Sequence, residues 1–411
     1  MSGSVSERQG NQRLHFPHVK SLVDLEKTVT PVFNNLYRFK RPEHAVTSGN
    51  LRHVIHELQP KVSPAGTFFN SVNQFVDVDI PKHLHYLDQL DVNLVITNND
   101  AMADSFSSLP SNLFSRIEVR VGSDIKQTVT DLEQWFDQVV YPDPWEQIRH
   151  QAARVYSAED YGVDTSVEIA IGADSNTIRV PINTFLTKCG IPPAICDDQI
   201  TLRFYSQVAS NVLGTGDVTL KTFNVHAREL RGNDDTLRTV ARPHLDWRFL
   251  DAKHEEKVLS LTNGSTTTWV LNNFSEDDLC SHMWVVVRNS SLAGANRDTM
   301  LSNVVSRMWL EDESGQNITN GIQWAGDDLL AQIYPDKFTN TAYLSHGLYL
   351  IFCPATDPVA DSREGAVSGA QALSRNIKLR ITSAATGNYT CTVLAMCHRH
   401  ARISGGKATI A

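Results

Sequence analysis

The sequence predicts an all-β chain made of two tandem copies of one sandwich module. Three observations predict it: a length and composition suited to two packed cores, short apolar segments with a period of two, and an ordered internal repeat. The chain has 411 residues, of which 41% are hydrophobic and 20% charged. That exceeds one ordinary core and suits two domains of about 150–200 residues each. The net charge of −9 argues against a body that wraps nucleic acid, which needs a basic surface. No sequence-specific nucleic-acid partner is expected. No run of 18 or more apolar residues occurs, so no membrane-spanning helix is expected. The first residues, Met1 to Arg8, are polar and lack the apolar core of a signal peptide. Synthesis in a reducing compartment is the expectation. The six cysteines contain no C-x-x-C pair and read as buried thiols rather than zinc ligands.

The strand signal is the alternation. Val92, Leu94 and Ile96 alternate with Asp91 and Asn93, and Ile117, Val119 and Val121 alternate with Glu118 and Arg120 before a Gly122-Ser123 turn. A period of two is the mark of half-buried strands in an antiparallel sandwich. Helical spacing is local. Leu132, Trp135, Phe136, Val139 and Val140 share one face, and Trp145, Ile148 and Ala152 suggest a second short helix. Asp327 is placed to cap a third that contains Leu329, Leu330 and Ile333.

The repeat decides the architecture. At an offset of 191, Val92, Leu94 and Ile96 fall on Met283, Val285 and Val287, and Ser115-Arg116-Ile117 falls on Ser306-Arg307-Met308. At 193, Tyr141-Pro142-Asp143 falls on Tyr334-Pro335-Asp336. At 177, Ile200-Thr201-Leu202-Arg203-Phe204 falls on Ile377-Lys378-Leu379-Arg380-Ile381, and at 171 Gly216-Asp217-Val218-Thr219 falls on Gly387-Asn388-Tyr389-Thr390. The matches keep their order while the offset drifts, as differing loop lengths would produce. Two modules are predicted, 46–232 and 244–411, joined by a linker at 233–243. Each has room for about eight short strands with long loops, which suits a jelly roll better than an immunoglobulin-type sandwich. Loops at about 123–178 and 312–346 are expected to form an outer crown.

Residues 1–45 form an arm of different character, with seven Lys/Arg against four Asp/Glu. Val19, Leu22, Val23 and Glu26 predict a short amphipathic helix near 18–29, ended by Pro31. Arg38, Lys40 and Arg41, interleaved with Tyr37 and Phe39, are the candidate inward-facing residues of this arm. They read either as ordinary solvated charges or as a tail that docks on a neighbour, a membrane surface or a genome.

Two jelly rolls in tandem behind a short arm resemble the double jelly-roll major capsid proteins of adenoviruses, tailless membrane-containing phages and nucleocytoplasmic large DNA viruses. The residues that carry the resemblance are Leu109-Pro110 followed by Leu113 to Gly122, and Val180-Pro181-Ile182-Asn183 through Gly190-Ile191-Pro192-Pro193 to Phe204. The second module lacks those prolines, and its assignment rests on the repeat. The resemblance implies a homotrimer that forms a pseudo-hexameric capsomer and tiles an icosahedral shell. It further implies neighbouring capsomers and minor or penton proteins as partners, an internal membrane or genome beneath the arm, and a place in the virion.

Trp284, Val286 and Trp309 are the candidate interface residues. They occupy positions whose counterparts in the first module include Asn93 and Glu118, so three apolar side chains face away from the second core. Either a loop or short helix of the same chain covers them, or they form a trimer or module–module interface. The competing class is a bicupin-like or carbohydrate-active double sandwich. His83-Leu84-His85 and His398-Arg399-His400 have the first step of a bicupin metal motif but lack its glycines and spaced glutamate. No nucleophile-elbow, phosphate-loop or H-E-x-x-H pattern occurs. Catalytic residues, metal and cofactor are therefore all expected to be absent.

Overall fold

A computed structural model describes residues 5–9, 12–16, 52–71, 73–99, 104–106, 113–137, 167–169, 172, 174, 177–189, 192–207, 217–231, 245–291, 301–319, 348–352, 371–373, 376–404 and 407–410. Strands β1 (Val5–Gln9) and β2 (Gln12–Phe16) pair as a hairpin. The first sandwich follows. Its strands are β3 (Arg52–Leu58), β4 (Phe75–Ile80), β5 (Tyr86–Asn98), β7 (Phe114–Val121), β8 (Asp124–Thr130), β10 (Ile178–Ile182), β11 (Ile200–Ser206) and β12 (Val218–Arg231). Short strands β6 (Asp104–Phe106) and β9 (Val167–Ile169) pair with each other. Helices α1 (Asp131–Trp135) and α2 (Phe185–Cys189) follow β8 and β10.

One sheet runs β10-β5-β12-β3 and the other β4-β11-β7-β8. Counted along the chain, these are the sixth, third, eighth and first strands, facing the second, seventh, fourth and fifth. That order is the jelly roll. The second sandwich repeats it, except that no counterpart of the fifth strand, β8, occurs among the described residues. Strands β13 (Leu245–Leu261), β15 (Leu279–Asn289), β17 (Leu348–Phe352) and β20 (Gly387–Ser404) form the larger sheet in the order β13-β20-β15-β17. Strand β18 (Gln371–Ala372) adds to β15, and β21 (Lys407–Ile410) adds to β20. The smaller sheet is β14 (Thr266–Val270), β19 (Lys378–Ser383) and β16 (Val305–Glu311), ordered β14-β19-β16.

The repeat read in the sequence is a repeat of strands. Val92, Leu94 and Ile96 of β5 point into the first core, and Met283, Val285 and Val287 of β15 point into the second. Ile117 and Val119 match Met308 and Leu310 in the same way, as do Leu202 and Phe204 with Leu379 and Ile381. The Tyr-Pro-Asp match, the arm helix at 18–29 and the helices around 145–152 and 327–333 fall outside the described residues.

The predicted turn at Gly122-Ser123 joins β7 to β8. Gly122 has φ +62°, a left-handed conformation that favours glycine, and its N–H donates to the Gln199 carbonyl at 2.8 Å. One expectation is corrected here. Residues 124–137 are not part of a crown loop: β8 pairs with β7 inside the sandwich, and α1 follows it directly. The alternation continues through Val129 as a buried position, but Lys126 and Gln127 obscured it in the sequence. Thr130 and Glu133 form a reciprocal capping box that starts α1.

Phe114, Phe204 and Phe223 meet at the centre of the first core, with ring centroids 5.3–6.2 Å apart. Edge and tilted contacts of this kind add to the burial of apolar area. The Phe204→Ala variant is expected to lose about 3–5 kcal/mol of stability through the cavity it leaves, measured by chemical denaturation of the full chain.

Candidate assembly surfaces

Strand alternation places Trp284 and Val286 on the outer face of the second module's larger sheet, opposite Met283 and Val285. Both are buried within the single chain, at 1% and 0% exposure. Leu350 and Leu348 of β17 lie beside them in register, and Leu394 of β20 pairs across from Trp284. All three are also buried. This is a second apolar layer outside the sandwich core.

Part of its cover comes from the first module. The Phe136 ring, just past α1, lies 5.6 Å from the Trp284 ring. Phe185 of α2 lies 5.9 Å from Phe249 of β13. Phe249, Ala401 and Ile403 belong to the first module's core cluster, and Ala408 and Ile410 of β21 pack against it. The two helices that follow β8 and β10 thus dock on the larger sheet of the second module, and the ends of β13 and β20 reach back to the first.

Charged groups are buried in the same junction. Lys188 Nζ of α2 pairs with Asp137 Oδ2 at 3.0 Å and donates to the Leu250 carbonyl at 3.4 Å. Gln127 of β8 donates to Asp251 Oδ1 at 2.8 Å and accepts the Phe185 N–H at 2.8 Å. Glu133 completes the group. Burial works against the Lys188 charge, but Asp137, Glu133 and Asp251 outweigh it and raise its pKa. The sequence reading missed this cluster. The available signal was a lysine and two acids, Glu133 and Asp137 four residues apart, beside Leu132, Trp135, Phe136, Phe185 and Leu186 in the same short segments.

Trp309 lies elsewhere, on the outer face of the smaller sheet. It is 9% exposed, and its Nε1 donates to Glu311 Oε1 at 2.9 Å. Glu311 also accepts from Arg380 Nε at 2.8 Å. The corresponding face of the first module is an ion-pair lattice. Arg203 forks onto both Asp77 oxygens at 2.6 and 2.7 Å and lies 4.1 Å over the Phe75 ring. Arg116 lies 3.7 Å over Tyr205. Glu118, the counterpart of Trp309, accepts from Arg116 at 3.2 Å and Arg120 at 2.7 Å. Burial works to raise the Glu118 carboxyl, but the hydrogen bonds and charges of Arg120 and Arg116 hold it below the usual range. Phe75 is half exposed. The structure therefore brings Trp284 and Val286 together and sets Trp309 on a different sheet.

Asp91 and Asn93, the first module's counterparts of His282 and Trp284, are buried on their sheet's outer face. Asp91 accepts from Gln89 at 2.5 Å and Asn93 from Arg179 at 3.2 Å. Arg38, Lys40 and Arg41 lie outside the described residues. His83 stands 5.9 Å from His56 ring to ring, and the His85 backbone N–H donates to Glu229. Burial and nearby His398 push His282 down to about 3, so its imidazole is neutral. Among the described residues no three His, Cys, Asp or Glu side chains are placed to hold a metal. Cys196, Cys280, Cys391 and Cys397 are buried.

No protein-family model and no curated protein matches the chain. Solved structures do. The chain is similar to a subunit of the PBCV-1 virus capsid, with a TM-score of 0.64, 14% identity and coverage of 88% of this chain and 97% of that one. It is similar to the Faustovirus major capsid protein at a TM-score of 0.59 and 10% identity, covering 92% and 94% of the two chains. The STIV major capsid protein gives 0.52 and 13% identity over 84% and 96%. The fold is the double jelly roll of viral major capsid proteins. Both jelly rolls, in order, are needed to cover so much of each chain.

Asp278, just before β15, is a fully buried, paired carboxylate. It accepts from Lys253 at 2.7 Å and from the Ser275 N–H and hydroxyl at 2.8 and 3.0 Å, with Arg399 at 3.3 Å. Burial works to raise it, but Lys253 and Ser275 hold it below its ordinary 3.8. Its contribution is present above that value and is lost as pH falls through its lowered native value. The Asp278→Asn variant is expected to lose about 3 kcal/mol at neutral pH, with the deficit shrinking in acid. Denaturation curves of both proteins across pH measure this.

Proposed function

We propose that the chain is the major capsid protein of an icosahedral virus and that its work is assembly rather than bond chemistry. The observation that carries this reading is the full-length double jelly roll. Two sandwiches of one strand order, docked through a buried junction, overlay capsid subunits along nearly their whole length. One chain supplies two similar modules, with boundaries near 46–232 and 244–411. Three chains around a threefold axis supply six, and a six-cornered block tiles a surface with near-hexagonal packing. A cyclic trimer uses one heterologous interface that closes on itself.

In this reading Trp284 and Val286 act inside the protomer by holding its two modules together. Trp309 and the smaller-sheet face around it are assigned to the contact between subunits. The basic arm with Arg38, Lys40 and Arg41 faces inward toward membrane, minor proteins or genome. The protein resides in the virion shell, with neighbouring capsomers as its main partners.

The mass of the purified protein in solution tests the assembly reading. About three times 45.8 kDa is expected by sedimentation, and a catalytically active monomer would reverse the reading. The Trp309→Ala variant is expected to shift sedimentation toward monomer while keeping the strand content. A fully intact trimer would remove Trp309 from the interface.

A further inference from the structure

Among the described residues, the junction between the modules holds more acid than base. Glu133, on α1, is 1% exposed. Its Oε2 accepts the Thr130 N–H at 3.4 Å in the capping box. Its Oε1 is enclosed with no hydrogen-bond partner among the described residues. The groups that act on Glu133 come from three elements. Asp137 lies just beyond the end of its own helix, Lys188 is on α2, and Asp251 is on β13 of the second module. Gln127 of β8 is neutral and already bonded to Asp251. Arg399 of β20 acts on Asp251 but is shared with Asp278 at 3.3 Å. Full ionisation would therefore set two buried carboxylates and the half-buried Asp251 against one buried ammonium, which Asp137 already engages at 3.0 Å. An ionised oxygen left without donors in such a place is costly. Protonation removes the charge and supplies a donor.

We propose that the two modules are latched by a proton: Glu133 sits in the junction as the neutral acid, and its ionisation loosens the docking of α1 and α2 on the second module's sheet. Burial, with the charges of Asp251 and Asp137 and against the offset of Lys188, raises the Glu133 carboxyl well above its ordinary 4.5. Burial raises Asp251 as well, against Gln127, Lys188 and Arg399. The direction follows from linkage. Above the ordinary value the unfolded or undocked chain releases the proton while the docked chain keeps it, so docking weakens as pH rises. The latch is tight in acid and loosens toward alkaline pH. This proposal rests on the two-module fold within one chain, not on the trimer, so it can fail without touching the assembly reading.

Two measurements on the full chain test it, each comparing the wild type with Glu133→Gln, which keeps the capping box because glutamine also accepts at that position. Infrared spectroscopy at neutral pH is expected to show the carbonyl band of a buried neutral carboxylic acid in the wild type and to lose it in the variant. Hydrogen exchange of the peptide spanning 249–252, corrected for intrinsic base catalysis, is expected to speed up with pH in the wild type. The limit is about tenfold per pH unit for one proton. In Glu133→Gln the slope is expected to flatten, with the two proteins converging in acid. Absence of the band would overturn the proposal. So would an unchanged slope in the variant, or a variant that fails to fold, since a neutral amide should replace a neutral acid.

Discussion

Strands β13 and β20 pair without interruption from Leu245↔Ile403 to Leu261↔Gly387, and this single ladder ties the two jelly rolls together. At about 3.3 Å per residue it is roughly 55 Å long, more than one sandwich needs. Leu259 and Leu261 at one end belong to the second core, whereas Phe249, Ala401 and Ile403 at the other belong to the first. Rotating one module against the other would bend or break this paired backbone. The relative placement of the modules is therefore set in part by a sheet that runs from one core to the other.

The ladder also explains why the outer face around Trp284 can be so apolar. A sheet has two faces, and a solitary jelly roll would leave one of them to water. Trp284, Val286, Leu348 and Leu350 each gain roughly 1.5–3 kcal/mol from burial, and they gain it because the chain folds back over them. The charged group beside them has a different role. A buried pair such as Lys188–Asp137 contributes little net stability once its desolvation is counted. It does, however, penalise any docking that separates Lys188 from Asp137 or Gln127 from Asp251. Apolar area supplies the adhesion, and the charges select one arrangement.

Much of this was legible in the sequence. Inward positions repeat because a core demands apolar side chains at the same register in both modules, which is why Val92 and Met283, or Leu202 and Leu379, align at all. The Gly122 turn was readable because only a left-handed residue fits there. What covers Trp284 was not. Its partner Phe136 is 148 positions away, and no local pattern encodes such a contact. The same holds for Glu133 and Asp251, which come from different modules. Strand β8 was hidden because its buried positions mix Gln127 with Val129 while Ile125 is exposed, which breaks the apolar alternation.

The two smaller-sheet faces show what duplication followed by divergence does to a building block. Glu118 and Trp309 occupy one position of the repeat, yet one anchors arginines and the other spends its indole N–H on Glu311. Arg203 and Arg380 keep their places while their carboxylate partners change, from Asp77 on the preceding strand of the sheet to Glu311 on the opposite neighbour. A basic side chain has thus been conserved in space between the modules while the acid moved across the sheet, which alters the shape and charge of the exposed edge. Two identical faces would let either module dock in the other's place. Faces that differ in this way give one chain two distinct surfaces, so a contact that fits the Trp309 face does not fit the Glu118 face.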